Sequence, residues 1–83
     1  MYKVRINRLA MRDISRLPQQ YARLVSQHID ELSENPRPRG SKGLRGRTDY
    51  RLRAGVYRIL YGIDDDERVV TVERVRHRRE AYG

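Results

Sequence analysis

Tyr50-Arg51-Leu52-Arg53-Ala54-Gly55-Val56-Tyr57-Arg58-Ile59-Leu60-Tyr61-Gly62-Ile63 alternates apolar and cationic side chains on both sides of a glycine. A period of two marks a strand with one face buried, and a small-residue break marks a tight turn. The segment therefore reads as a hairpin, Tyr50 to Arg53 and Val56 to Ile63, joined at Ala54-Gly55. Arg68 to Arg76 repeats the period, and the acidic run Asp64-Asp65-Asp66 joins it to the hairpin as a solvated tip. Three antiparallel strands follow from this.

Upstream of the hairpin, Tyr2, Val4 and Ile6 alternate with Lys3 and Arg5, a fourth half-buried strand. Asn7 can cap a helix that starts after it. Ala10, Ile14, Leu17, Tyr21, Leu24, Val25, His28, Ile29 and Leu32 then recur at helical spacing. Pro18 interrupts that pattern; it breaks one long helix but suits the first turn of a second. Two antiparallel helices are expected, at about residues 8–16 and 18–33. Asn35-Pro36 ends the second, because the residue before a proline disfavours helical torsions. Residues 35–46, with two prolines and three glycines, read as a basic loop, and the tail from His77 holds at most one helical turn. The predicted layout is β-α-α-β-β-β, an α+β domain spanning residues 1–83, with two N-terminal helices packed on one face of a small, mostly antiparallel sheet.

A chain of 83 residues buries only about 60–65% of its unfolded surface, so the core must be thin. Cysteine is absent, which excludes disulfides and thiolate zinc sites and fits a reducing, cytoplasmic compartment. No apolar run reaches the ~18 residues of a membrane span, and the N-terminus enters strand-like alternation without a signal peptide. His, Asp and Glu show no metal-ligand spacing, and no cofactor is implied.

Charge carries the functional signal. The net charge is +8, and seventeen of the nineteen cations are arginine. Between residues 37 and 60, Arg37, Arg39, Lys42, Arg45, Arg47, Arg51, Arg53 and Arg58 face the single acid Asp49. Such density is the footprint of a phosphate-binding surface, and the arginine fork suits bidentate phosphate contacts. A GC-rich genome accounts for much of the preference for arginine over lysine, but not for where the charge lies. Arg51 and Arg53 share a strand face. A turn at Ala54-Gly55 sets Arg53 opposite Val56 and Arg51 opposite Arg58, all solvated on the face that the helices leave open. Directly opposed like charges destabilise a sheet unless an anion lies between them. The alternative is that they splay into water and bind nothing.

The last strand extends the pattern. Arg74, Arg76 and Arg78 share a face, Arg79 is adjacent, and His77 and Tyr82 follow. Cleavage of RNA by its own 2′-hydroxyl needs a base, cations for the crowded phosphorane, and an acid for the leaving 5′-oxygen. Arginines supply the second role. His77, with an ordinary pKa of ~6.5, suits proton transfer, and Tyr82 could donate a proton or stack on a base. Each alone reads as easily as a strand-end or core-edge residue. His28 lies at core spacing and reads as packed; Glu73 reads as a neighbour that neutralises an arginine.

Leu32-Ser33-Glu34-Asn35-Pro36, Leu44-Arg45-Gly46, Tyr50-Arg51-Leu52-Arg53, Tyr57-Arg58-Ile59-Leu60-Tyr61 and Val75-Arg76-His77-Arg78-Arg79-Glu80-Ala81-Tyr82 together resemble the RelE/ParE toxin superfamily. The resemblance runs through nearly the whole chain. The ending, His-Arg-Arg with a tyrosine three residues on, points to the RelE branch. It implies the toxin of a type II toxin–antitoxin system, an endoribonuclease (mRNA interferase) that cuts messenger RNA in the ribosomal A site without a metal and inhibits translation. Its implied partners are messenger RNA on the ribosome and a cognate acidic antitoxin in a hetero-oligomer. Carried over by position, the catalytic set is Arg51, Arg53, Arg58, Arg78 and Tyr82, with His77 added, and Arg45, Arg47, Arg76 and Arg79 are expected to bind RNA. The RelE prototype has lysines where this chain has Arg51 and Arg53. Arginine cannot give up its proton, so if a lysine is the base in the prototype that role moves here, to His77 first, then Glu73 or Asp49. Alternatively, the enzyme is slow or binds without cutting. The alternative is a ParE-like poison of DNA gyrase, which needs no nuclease residues.

Overall fold

The computed structural model describes residues 1–43 and 49–81. The chain runs β1 (Lys3–Ile6), α1 (Arg8–Ser15), α2 (Gln19–Glu31), β2 (Ser41–Gly43), β3 (Asp49–Ala54), β4 (Tyr57–Asp64), β5 (Val69–His77) and α3 (Arg78–Ala81). The strands form one sheet in the order β1-β5-β4-β3-β2; β1 runs parallel to β5, and the other pairs are antiparallel. This is the predicted α+β layout with two additions, the three-residue edge strand β2 and the single turn of α3. β2 is too short for periodicity to reveal. It lies in the expected loop, where Ser41, Lys42 and Gly43 pair with Leu52, Arg51 and Tyr50.

Local chemistry explains the helix limits. The Asn7 side chain accepts from the Ala10 N–H at 2.9 Å, which satisfies one of the donors a helix start leaves open. Pro18 precedes α2, and its carbonyl accepts from Tyr21 and Ala22 at 2.9 Å each. Ala10 of α1 and Val25, Ile29 and Leu32, on or just past α2, bury against Leu52, Ala54, Ile59, Tyr61, Ile63, Val70, Val72 and Val75. These are the inward positions of the strands. Both helices thus cover one sheet face, and the arginines alternate out of the other.

The hairpin register differs from expectation. The turn is Gly55-Val56, with Ala54 opposite Tyr57, Arg53 opposite Arg58 and Arg51 opposite Leu60. Gly55 adopts φ +64°, which favours glycine at the first central position of a two-residue loop. Placing it second displaces every pair by two residues while leaving each side chain on its predicted face. The β4–β5 register shifts between Leu60 and Tyr61: Leu60 faces Arg74, Tyr61 faces Val72, and Glu73 is the extra residue of the bulge.

Two polar clusters hold the periphery. β1 pairs with β5 only as far as Val72, so the outer edge of β5 is open beyond it. Asp13 of α1 covers that gap: one carboxylate oxygen accepts from the Val75 N–H at 2.9 Å and from Arg74 Nε at 2.8 Å, and the other from Arg74 Nη2 at 3.2 Å. At the opposite end, Arg37 donates both terminal nitrogens to Asp65, at 3.2 and 2.8 Å, and its Nε to the Tyr50 hydroxyl. Tyr2 donates its hydroxyl to Asp65 at 2.6 Å, and Tyr61 donates to the Pro36 carbonyl. The acidic tip is therefore not simply solvated. Asp65 ties it to the loop that leads into β2.

Candidate nucleic-acid interface

Three arginines stand in a row across the three central strands: Arg53 on β3 opposes Arg58 on β4, which opposes Arg76 on β5. Opposed side chains in a sheet start ~4.5–5.5 Å apart, so the row sets three guanidinium stems side by side. Arg58, in the middle, is 6% exposed, which corrects the expectation that it is solvated: it is flanked on both sides by other strands. Arg53 is exposed, and Arg51 and Arg76 are half-buried. Arg51 faces Lys42 across the β2 edge. A cleft of about 360 Å³ opens there, lined by Gly40, Lys42, Arg51, Arg53 and Arg58. The described part of its wall carries four cations and no acid.

Arg78 is exposed at the start of α3, where its N–H donates to the Val56 carbonyl at 2.7 Å. That bond holds α3 against the hairpin turn, at the same end of the sheet as the row. Arg79 is exposed next to it. Arg74 shares a face with Arg76 by strand register, but its guanidinium is held by Asp13 and is diverted from the row. Arg37 is likewise occupied, by Asp65.

His77 lies elsewhere. Its place opposite Tyr57, one residue past Arg76, sends it to the helix-facing side of β5. Its ring meets the Tyr57 ring edge-on, with centroids 5.6 Å apart. Nδ1 accepts from the Arg79 N–H at 3.3 Å. His77 lines a second cleft, of about 370 Å³, with Asp13, Arg16, Leu17, Tyr57, Arg74 and Val75. The structure thus brings Arg51, Arg53, Arg58 and Arg76 together and places His77 around the end of the same strand. Arg45, Arg47 and Tyr82 lie outside the described residues.

Of the remaining candidates, His28 is half-buried and donates from Nδ1 to the Leu24 carbonyl at 2.9 Å, a packed helix residue as expected. Glu73 is exposed at the bulge, and Asp49 is half-buried on the arginine face of β3. Among the described residues, no three His, Asp or Glu side chains cluster as a metal site requires, and no helix is long and apolar enough to cross a membrane. The sequence places Lys42 only within the broad basic stripe of residues 37–60; its position opposite Arg51 becomes visible only with β2. Nor does it reveal the groove beside His77, whose residues come from α1 and the two residues after it, β4 and β5.

A helix-backed sheet with a cationic open face is the architecture that the resemblance to small toxin domains implies. The chain belongs to the RelE/ParE toxin superfamily: a family model described as the ParE toxin of type II toxin–antitoxin systems, parDE, matches residues 4–82. It is 38% identical to Toxin RelG of Mycobacterium tuberculosis, over 98% of this chain and 95% of that protein. Among solved structures it is similar to the RelBE2 toxin–antitoxin complex of Mycobacterium tuberculosis, with a TM-score of 0.81 and 37% identity over 92% of this chain and 96% of that one. The archaeal RelE–RelB complex of Pyrococcus horikoshii gives a TM-score of 0.85 and 26% identity over 93% and 94%. The isolated E. coli RelE toxin gives 0.77 and 26% over 99% and 96%.

Proposed function

We propose that this toxin is an endoribonuclease that cuts messenger RNA in the ribosomal A site. The observation that carries the reading is the row Arg53–Arg58–Arg76, with Arg51 and Lys42 beside it. Like charges set opposite one another repel, and three in a row concentrate positive potential on this face. A phosphate between them turns the repulsion into charge-assisted hydrogen bonds, which strengthen as a phosphorane gains charge. The 2′-oxygen attacks the adjacent phosphorus, the bond to the 5′-oxygen breaks, and the products are a 2′,3′-cyclic phosphate and a 5′-hydroxyl. The RelE- and RelG-named relatives support this branch.

Arg58 and Arg53 hold the scissile phosphate in this reading, while Arg78 and Arg79 at the end of β5 meet the flanking chain. His77 leaves β5 on the side away from that phosphate. In this reading it takes the 2′-hydroxyl proton through Nε2 from a chain that bends around the end of β5, and the leaving 5′-oxygen is protonated from solvent. Acting as a base there requires the tautomer protonated at Nδ1, which gives up the 3.3 Å contact from Arg79; a neutral hydrogen bond contributes only about 0.5–1.5 kcal/mol. An acidic antitoxin covers the arginine face and holds the toxin inactive in a hetero-oligomer, as the RelB-bound relatives suggest.

The test is expression of the chain without a partner, with cut sites mapped on messenger RNA in the presence and absence of ribosomes. Ribosome-dependent cuts ending in a cyclic phosphate, lost in the folded Arg51→Glu, Arg53→Glu double variant, are expected. His77→Gln should slow single-turnover cleavage by ~10²–10⁴-fold. Intact messenger RNA alongside gyrase-dependent DNA breaks refutes the reading in favour of a gyrase poison.

A further inference from the structure

We infer that the groove on the helix-facing side of β5 binds a single-stranded RNA segment adjoining the scissile nucleotide; this rests on the nuclease reading above. The groove has the parts that such binding requires. Leu17 and Val75 give it apolar walls, the Tyr57 and His77 rings stand edge to face at 5.6 Å, and Arg16 is exposed at the C-terminal end of α1. Single-stranded RNA is held by bases stacking on aromatic or guanidinium planes, with cations on the phosphates. The volume, about 370 Å³, lies at the small end of the range for ligand clefts. The acid in the groove, Asp13, is already held by Arg74 and the Val75 N–H, so it opposes an incoming phosphate little.

Position gives the groove its partner. Arg76 and His77 are consecutive residues that leave β5 on opposite sides, one toward the arginine row and the other into the groove. β1 stops at Ile6, opposite Val72, so no strand covers this edge of β5 over its last residues. Asp13 and Arg74 close that edge as far as Val75, so a chain lying on the arginine row reaches the groove around the His77 end of β5, past the clamp. The groove thereby extends the site from a phosphate clamp to a track across both sides of one strand.

The experiment uses the isolated chain with two 2′-O-methylated RNAs that cannot be cut, a trinucleotide and a dodecamer. Affinities are read by fluorescence anisotropy across a salt series. Arg16→Glu should weaken dodecamer binding about ten-fold and lower the salt slope by about one, while leaving the trinucleotide within two-fold. Arg16→Gln should give an intermediate loss. Arg23→Glu, an exposed charge on α2 away from the groove, controls for net charge and should have little effect. Equal losses from Arg16→Glu and Arg23→Glu, or an unchanged dodecamer, overturn the groove as a site. The underlying reading is tested separately: Arg53→Glu must weaken both RNAs, and its failure to do so removes the arginine face whatever the groove does.

Discussion

Replacing Asp13 by asparagine isolates the clamp on the open edge of β5. One carboxylate oxygen receives both the Val75 N–H and Arg74 Nε, and the other receives Arg74 Nη2 at 3.2 Å. Asparagine can keep the first two bonds through its carbonyl, but its NH₂ then points a donor at a donor. Hydrogen bonds to a charged group contribute about 1.5–3 kcal/mol against about 0.5–1.5 for neutral ones. The Arg74 side chain is 35% exposed, so solvent screens part of the difference, and a net loss of about 1–2 kcal/mol at pH 7 is expected. In a domain of this size that lowers Tm by roughly 10 °C. Burial alone pushes the Asp13 carboxyl upward, but the bonds from Arg74 and Val75 and the charges of Arg74 and Arg76 outweigh it and leave it below the ordinary value. The unfolded chain therefore takes up this proton first as pH falls. The clamp contributes fully above about pH 4, the ordinary carboxylate range, and its contribution disappears as pH drops through the lower folded value. Urea unfolding of both proteins between pH 7 and 2.5 is the assay. A difference below 0.5 kcal/mol at pH 7 (roughly the noise of a surface substitution), or one that does not shrink toward pH 2.5, refutes the reasoning.

Arg58→Leu should lower cleavage at least ~10²-fold; single-turnover kinetics on the folded variant decide it, and a rate within a few-fold of wild type refutes it. Arg68, at φ +56° in the β4–β5 turn, occupies the left-handed region where glycine is favoured, so Arg68→Gly should raise stability by up to about 1 kcal/mol in thermal melts. The bonds that Asp65 accepts from Arg37 and Tyr2 hold its pKa at about 2. A carboxyl-detected NMR titration should find that midpoint, and Arg37→Gln should return it toward the ordinary carboxylate range.

The faces of this sheet were legible in the sequence because burial enforces a period of two. Arg51, Arg53 and Arg58 had to oppose Leu52 and Ile59 whatever the pairing, and any register set by a two-residue loop keeps that relation. The register itself was not legible, because it hangs on which central position of the turn Gly55 takes, and that moves Arg58 from facing Arg51 to facing Arg53. The bulge at Glu73 was equally hidden, because one extra residue leaves the composition of β5 unchanged. Long-range polar pairs such as Asp13–Arg74 and Arg37–Asp65, 61 and 28 residues apart, carry no periodic signal. Yet these pairs fix where two of the many arginines point. Arg37 and Arg74 belong to the same dense cationic pattern as the others, and each is matched by a carboxylate. What composition presented as one broad basic surface is sorted, by two aspartates and one glycine, into a compact row on one side of β5 and a groove on the other.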